Sequence, residues 1–169
     1  MKRERTPTGE AATELILSAF RANGLLLDAG DLLSADEGLT SARWQVLGAI
    51  ALAERPLTVP QIARRIGLTR QSVHASVGRL VHDGLVELAP NADHRRSPLV
   101  CLTEPGRATY AAIDRRQRAW VNRLSDGIDR SELETTARVL EQLCRRLEAD
   151  GPEDSEAGDA AGGDDEDAA

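Results

Sequence analysis

The side chains of this chain that could carry chemistry are basic and polar groups in two short stretches, residues 69–79 and residues 93–96. Guanidinium groups and small polar side chains at close spacing suit contacts with the base edges and the negative grooves of DNA. The candidate DNA-binding residues are Thr69, Arg70, Gln71, Ser72, His74, Ala75, Arg79, Asp93, His94, Arg95 and Arg96. One of them has two interpretations, because His74 either contacts a base or only covers the surface.

Two short helical patterns must position the first stretch. Thr58 is an N-cap candidate that can form a capping box with Gln61, and the first helix is predicted to end near Ile66. Gly67 provides the backbone freedom of a sharp turn, after which Thr69 caps a second helix. The predicted buried stripe of this second helix consists of Val73, Val77, Leu80 and Val81. The opposite face is polar, small and basic, as a helix in the major groove requires.

A hairpin with a long tip is predicted to carry the second stretch. Residues 85–88 and 99–102 are short apolar runs, and Pro90 and Pro98 interrupt the chain between them. The tip presents two guanidinium groups, one of which could enter a narrow minor groove. We expect Asp93 to orient Arg95 rather than to oppose DNA.

In this order and spacing, the pattern resembles the MarR family of bacterial transcription regulators. The motifs that carry the resemblance are Leu39-Thr40, Trp44, Leu47, the helix-turn-helix, Asp93-His94-Arg95-Arg96, Leu102-Thr103 and Gly106. The resemblance implies that the helix from Thr69 is a recognition helix, that residues 93–96 form a wing tip, and that Arg95 enters the minor groove. It also implies an obligate dimer. Leu88 departs from the family, which often has Arg there, so a phosphate contact from the hairpin base is expected to be missing.

Helical patterns at both chain ends explain how a dimer would form. The N-terminal stripe consists of Ala12, Leu15, Ile16, Ala19, Phe20, Asn23, Leu26 and Leu27, and Gly30 is expected to end it. Thr103 is expected to cap a helix that contains Ile113, Trp120, Val121 and Leu124. Asp129 and Glu132 open a last helix with an apolar stripe of Leu133, Ala137, Leu140, Cys144 and Leu147. These stripes are expected to meet their copies in a second chain.

The predicted fold class is mainly α with a small β-hairpin wing, in which a winged helix-turn-helix lobe is joined to a helical dimerisation layer. The predicted domain spans residues 8–149, with the DNA-binding lobe at about 39–107 and dimerisation helices at about 8–30 and 104–149. Aromatic residues make up only 2% of the chain, so the core must be built from Leu, Ile, Val and Ala.

The net charge of the chain is -7, and its charged residues are unevenly distributed along the sequence. Residues 150–169 contain nine acidic and no basic residues, whereas residues 55–118 contain eleven Arg against five Asp or Glu. The body of the protein is therefore basic, as DNA binding requires. Residues 150–169 hold no bulky apolar residue and are predicted to be a disordered acidic tail. This tail either solubilises the protein or competes with DNA for the arginine surface.

Other function classes have weaker support. The sequence shows no catalytic constellation and no metal-ligand spacing, so neither an enzyme nor a cofactor or metal site is expected. Two alternatives stay open: a redox-responsive regulator that acts through Cys101 or Cys144, and a winged helix that binds only proteins. Because no apolar stretch could span a membrane and no signal peptide follows Met1, a cytoplasmic protein without membrane contact is expected.

The sequence therefore predicts a dimeric, ligand-responsive regulator that binds an inverted-repeat operator in double-stranded DNA, as a repressor rather than an activator. The family resemblance implies a small effector that binds between the dimerisation layer and the DNA-binding lobe. Trp44, Tyr110 and Trp120 are candidates for lining that pocket, although ordinary core packing would explain them too.

Overall fold

The computed structural model describes residues 5–150, which form two compact units, one ending at Leu124 and the other beginning at Ser125. The first unit contains α1 (Pro7–Ser34), a 3₁₀ turn (Ala35–Glu37), α2 (Ser41–Ala51), β1 (Leu57–Thr58), α3 (Val59–Ile66), α4 (Arg70–His82), β2 (Val86–Ala89), β3 (Leu99–Leu102) and α5 (Glu104–Leu124). The second unit contains α6 (Arg130–Asp150). The predicted fold class, mainly helical with a small β wing, is confirmed.

The sheet has three antiparallel strands in the order β1-β3-β2. The hairpin of β2 and β3 has Val86 opposite Leu102 and Ala89 opposite Leu99, so that β2 begins one residue later than predicted. Sequence reasoning missed β1, in which Leu57 pairs with Val100, because a two-residue strand is too short to show any periodicity. Because β1 pairs with Leu99 and Val100, it joins the start of α3 to the end of β3 that adjoins the hairpin tip.

The core of the first unit lies between α2, α3, α4, the sheet and α5. Its fully buried large side chains are Val46, Leu47, Ile62, Val73, Leu80, Val86, Val100 and Ile113. One prediction about this core was wrong, because Val81 is 39% exposed. Each helical residue turns about 100° from the one before, so the residue after buried Leu80 falls outside the stripe that Val73 and Val77 define.

The start of α5 is attached to the turn that follows α4. The Thr103 side chain caps α5 as predicted, since its oxygen accepts from the Gly106 N–H at 3.1 Å, and its hydroxyl donates to the Gly84 carbonyl at 2.7 Å. A Cβ atom at Gly106 would lie 1.9 Å from the carbonyl oxygen of Leu85. Only glycine therefore allows α5 to begin this close to the hairpin.

The N-terminal helix does not end at Gly30, as its sequence pattern predicted, but continues to Ser34. Gly30 is buried inside the helix, and a Cβ atom there would lie 2.4 Å from the side-chain oxygen of Ser41. The glycine is present because α2 packs against it, so its role is close approach rather than helix termination.

The second unit consists mainly of α6. Asp129 caps this helix as predicted, because its carboxylate accepts from the Ser131 N–H at 2.7 Å and the Glu132 N–H at 3.4 Å. Hydrogen bonds from Ser131 lower the pKa of the Asp129 carboxyl. Among the described residues of α6 none is buried. The predicted acidic tail lies outside the described residues apart from Asp150, the last residue of α6.

Candidate nucleic-acid interface

The capped turn between α3 and α4 sets the direction of α4. Gln61 Oε1 accepts from the Thr58 N–H at 2.8 Å, which forms the predicted capping box at the start of α3. Gly67 ends α3 with a φ of 67°, in the left-handed region that favours glycine. The Leu68 N–H then donates to the Ala63 carbonyl at 3.1 Å, and Thr69 accepts from the Ser72 N–H at 3.1 Å to cap α4. The predicted helix-turn-helix is therefore formed with its predicted caps.

The exposed face of α4 carries the first predicted stretch. Its exposed members are Thr69, Arg70, Gln71, Ser72, His74, Ala75 and Arg79. Because Val73, Val77 and Leu80 are buried on the other face, the amphipathic assignment of α4 is correct apart from Val81. A polar and basic helix face of this kind can enter a major groove and present donors to base edges.

An open groove of about 550 Å³ separates α4 from the hairpin. Two predicted sets of residues meet here, since Arg70, Gln71 and His74 line one side and Arg96 lines the other. The remaining lining residues were not among the predicted DNA contacts, and they are Val59, Pro60, Val77, Gly78, Val81, Leu88, Ser97 and Pro98. No local signal in the sequence marks these residues, because Val81 continues an apolar helical stripe and Leu88 belongs to an apolar strand run.

The hairpin tip, residues 90–98, has its own hydrogen bonds. The Asn91 side chain donates to the Ser97 carbonyl at 2.8 Å and accepts from the Asp93 N–H at 3.1 Å. The Ser97 N–H also donates to the His94 carbonyl at 2.9 Å. All four predicted tip residues, Asp93, His94, Arg95 and Arg96, are exposed.

The prediction that Asp93 orients Arg95 has no support from the contacts of the hairpin tip. No ion pair joins these two side chains among the described residues, and the backbone of Asp93 bonds to Asn91 instead. In a short turn the Asn side chain reaches the backbone two residues on more readily than two long exposed side chains hold each other.

Arg79 lies on the other flank of α4. It shares a shallow cavity of about 200 Å³ with Thr40 and Arg43 of the α2 region and with Ala75 and Ser76. Ala75 and Arg79 therefore lie apart from the groove that holds Arg70, Gln71 and His74. The basic groups of the candidate interface are thus spread across both flanks of α4 and the hairpin tip.

A separate cavity of about 400 Å³ lies between α2, the end of α3 and α5. Two of the three candidate effector residues, Trp44 and Tyr110, line it together, with Arg65, Asp114 and Gln117 nearby. Burial raises the pKa of the Tyr110 hydroxyl, and the Asp114 carboxylate raises it further. Trp120 is half-buried farther along α5 and is not among the residues that line this cavity.

The two cysteines, possible metal ligands and possible membrane-spanning helices were the other features to locate in the structure. Cys101 is half-buried in β3, and Cys144 is exposed on α6. Within residues 5–150, no group of three or more His, Cys, Asp or Glu side chains could hold a metal ion. No helix in the same range is both long and apolar enough to cross a membrane.

Comparison with known proteins places these features in a family. The sequence profile of the MarR family matches residues 37–97, which contain α2, the helix-turn-helix, β2 and most of the hairpin tip. An uncharacterized protein of Mycobacterium tuberculosis is 44% identical over 138 residues, which cover 82% of this chain and 95% of that protein. The transcriptional activatory protein BadR of Rhodopseudomonas palustris is 31% identical over 106 residues, or 62% of this chain and 61% of that protein.

The fold of the chain is also similar to that of solved structures. CouR from Rhodococcus jostii RHA1, solved with p-coumaroyl-CoA bound, superposes with a TM-score of 0.67 at 23% identity, over 73% of this chain and 87% of CouR. Members of the matched family are transcription regulators and not enzymes. The family profile, the close relative and the shared winged helix agree, and the chain belongs to the MarR family of transcription regulators.

Proposed function

We propose that this transcription regulator binds double-stranded DNA through α4 and the hairpin tip. The observation that carries the proposal is the groove in which Arg70, Gln71 and His74 of α4 face Arg96 of the hairpin. When α4 enters a major groove of DNA, the hairpin tip reaches the adjacent minor groove. The sugar-phosphate strand that separates these two DNA grooves then lies in the protein groove between α4 and the hairpin. The proposed contact residues are Thr69, Arg70, Gln71, Ser72, His74, Ala75, Arg79, Asp93, His94, Arg95 and Arg96.

The DNA-binding proposal is tested with an operator selected from random or genomic DNA by the full chain. Affinity measured by fluorescence anisotropy across a salt series should fall steeply as salt rises, because phosphate contacts release counterions. Failure to select or bind any DNA, even at low salt, would favour the winged helix as a protein-binding module instead.

The regulator is proposed to act as a homodimer on an inverted repeat. In α1, the large apolar side chains Ile16, Phe20 and Leu26 are between 42% and 71% exposed, and in α6 Leu133 and Leu147 are 44% and 70% exposed. Each helix thus presents apolar area that a second chain would cover. A two-fold axis between the chains would relate the two α4 helices, so the bases that they read would form an inverted repeat with half-site centres about 10 base pairs apart.

An insertion series tests the dimer on DNA. Inserting about 5 base pairs between the half-sites rotates one of them to the opposite face of the duplex and should abolish tight binding by one dimer. A footprint on a single asymmetric site would contradict the inverted repeat.

A small ring-containing effector is proposed to bind the cavity beside Trp44 and Tyr110. The cavity volume suits a compact ligand, its walls combine two aromatic rings with polar groups, and CouR is solved with an aromatic acyl-CoA bound. The chain has two Trp residues, so the Trp120→Phe variant makes fluorescence a report on Trp44 alone. Titration with aromatic acids should quench or shift that emission and weaken DNA binding. Ligand binding that leaves Trp44 emission unchanged would place the effector elsewhere.

Regulation is proposed to be repression, through a dimer that covers a promoter. The relative BadR is an activatory protein, so the sign of regulation needs a direct measurement. Deleting the gene should raise transcription from the bound promoters if the proposal is correct. A fall in transcription from those promoters would show an activator.

A further inference from the structure

Two arginines from different helices fasten the turn between α1 and α2. From α5, the Arg116 Nε donates to the Leu33 carbonyl at 3.0 Å, and its terminal nitrogens pair with the carboxylates of Glu37 and, at 3.7 Å, Asp36. Leu33 lies in the last turn of α1, where carbonyls have no partner within the helix. Arg116 therefore joins α5 to both the end of α1 and the following 3₁₀ turn.

The second arginine extends the connection to α4. One terminal nitrogen of Arg43 donates to the Gly38 carbonyl at 2.7 Å, and the other donates to Asp83 Oδ2 at 3.2 Å. Asp83 is the C-cap residue of α4. The Arg43 side chain is only 19% exposed, so its ion pair is less screened by salt than an open surface pair. Residues 33–38, together with Arg43, Asp83 and Arg116, are named the junction.

The backbone of the junction has little freedom of its own. The Ser34 hydroxyl is buried and lies 2.7 Å from the Gly30 carbonyl and 3.0 Å from the Leu39 carbonyl, so it bridges both sides of the turn. Asp31 Oδ1 accepts from the Ser41 N–H at 2.6 Å, which binds the start of α2 to α1. A displacement of α5 at Arg116 is therefore not absorbed by the turn.

We propose that Arg116 and Arg43 are positioning residues that set the angle of α4 relative to α5, and through it the half-site spacing that the regulator accepts. The inference rests on the proposed dimer and its inverted-repeat operator. Apolar packing between α2 and α4 is non-directional, whereas these contacts fix which atoms face each other. Arg116 is not among the residues that border the exposed face of α4, so its effect is on where the recognition helix lies. Arg43 shares a shallow cavity with Ala75 and Arg79, so a contribution of its charge to DNA binding would lower the affinity for all spacings alike.

The test is a spacing series on the selected operator, with full-length protein at fixed salt. The half-sites are moved one base pair closer and one base pair farther apart, and the affinity for each DNA is measured for wild type, Arg116→Gln, Arg43→Gln and the double variant. Arg123→Gln is the matched control, because Arg123 lies on the same helix α5 and donates to the Ala119 carbonyl of that helix.

We expect each junction variant to reduce the preference for the native spacing by about threefold, the scale of a partly exposed ion pair. The double variant should lose no more than the larger single loss, because the two arginines act in one network. Arg123→Gln should keep the wild-type preference. A merely structural role would lower thermal stability or the affinity for all spacings alike, without changing the ratio between spacings.

Two milder variants keep the test decisive if an arginine variant fails to fold. Glu37→Gln and Asp83→Asn preserve side-chain volume and remove one charge from each end of the junction. Folded, dimeric variants with an unchanged spacing ratio would overturn the inference while leaving the proposed function intact. A wild type that binds no selected DNA, or that binds all spacings equally, would instead refute the proposed operator geometry.

Discussion

The segment from α2 to the start of α5 and the two helical ends of the chain, α1 and α6, differ in whether their large apolar residues are buried or exposed. Every member of the buried apolar core lies between Leu39 and Ile113. In contrast, α1 exposes seven large apolar residues, and five more are exposed from Leu124 to Leu147. The segment from α2 to the start of α5 buries its core within one chain, whereas α1 and α6 present surfaces that a single chain leaves in water. Exposed apolar area of this extent is typical of surfaces that bind another protein.

The largest effect that separates the two regions is expected from a core truncation. Leu47→Ala should lower the free energy of unfolding by about 2–5 kcal/mol, because the fully buried side chain leaves a cavity. Leu52→Ala, at a site that is 67% exposed near the same helix end, should change it by less than about 0.5 kcal/mol. Urea unfolding measures both, and equal losses would contradict the assignment of the core.

The next effect concerns the helical ends. Phe20→Asp should weaken the dimer by tenfold or more, about 1.4 kcal/mol, because it places a charge in an apolar surface that the partner is expected to cover. Phe20 is 71% exposed in the single chain, so the fold of each protomer should survive. Sedimentation across a concentration series measures the dimer, with Leu52→Asp as the control. An unchanged dimer would show that this part of α1 faces solvent.

A third, smaller effect is expected within the DNA-binding surface. Arg95→Ala should weaken operator binding by about 1–3 kcal/mol, the usual scale of one specific contact, while the dimer stays folded. Arg123→Ala removes the same charge from α5 and should have less effect. If both variants weaken binding equally, Arg95 contributes only general charge and no minor-groove contact.

The smallest effect is expected from removing residues 151–169. Truncation after Asp150 should leave thermal stability and the dimer unchanged, because the removed sequence contains no bulky apolar residue. Operator affinity should stay equal or rise slightly, most clearly at low salt, since eight acidic residues are lost. A large fall in the unfolding temperature would show that this segment packs against the protein.

The sequence predicted the helix-turn-helix, its caps and the basic groups that face DNA because each has a local signature. Thr58, Gly67, Thr69 and Thr103 act as predicted, since capping and left-handed turns depend on residues close in the chain. Gly30 was misassigned because helix termination and close packing both favour glycine, and only the position of Ser41 distinguishes them.

The groove beside α4 could not be predicted for a related reason. Val81 looks like one more member of an apolar stripe, and Leu88 looks like a strand residue, until the hairpin is placed next to α4. The same limit applies to the junction, where Arg116 meets Glu37 across 79 positions of sequence. Contacts of this kind depend on tertiary geometry, which periodicity does not encode.

The hydrogen bonds within the hairpin tip bear on the entropy of DNA binding. A loop that has to be immobilised on DNA loses conformational entropy, and this loss subtracts from affinity. Asn91 already links the two sides of the tip through the Ser97 carbonyl and the Asp93 N–H, and β1 pairs with the end of β3 that adjoins the tip. Much of the ordering of the wing thus takes place during folding, so that the entropic cost of engaging the minor groove falls mainly on the side chains of His94, Arg95 and Arg96.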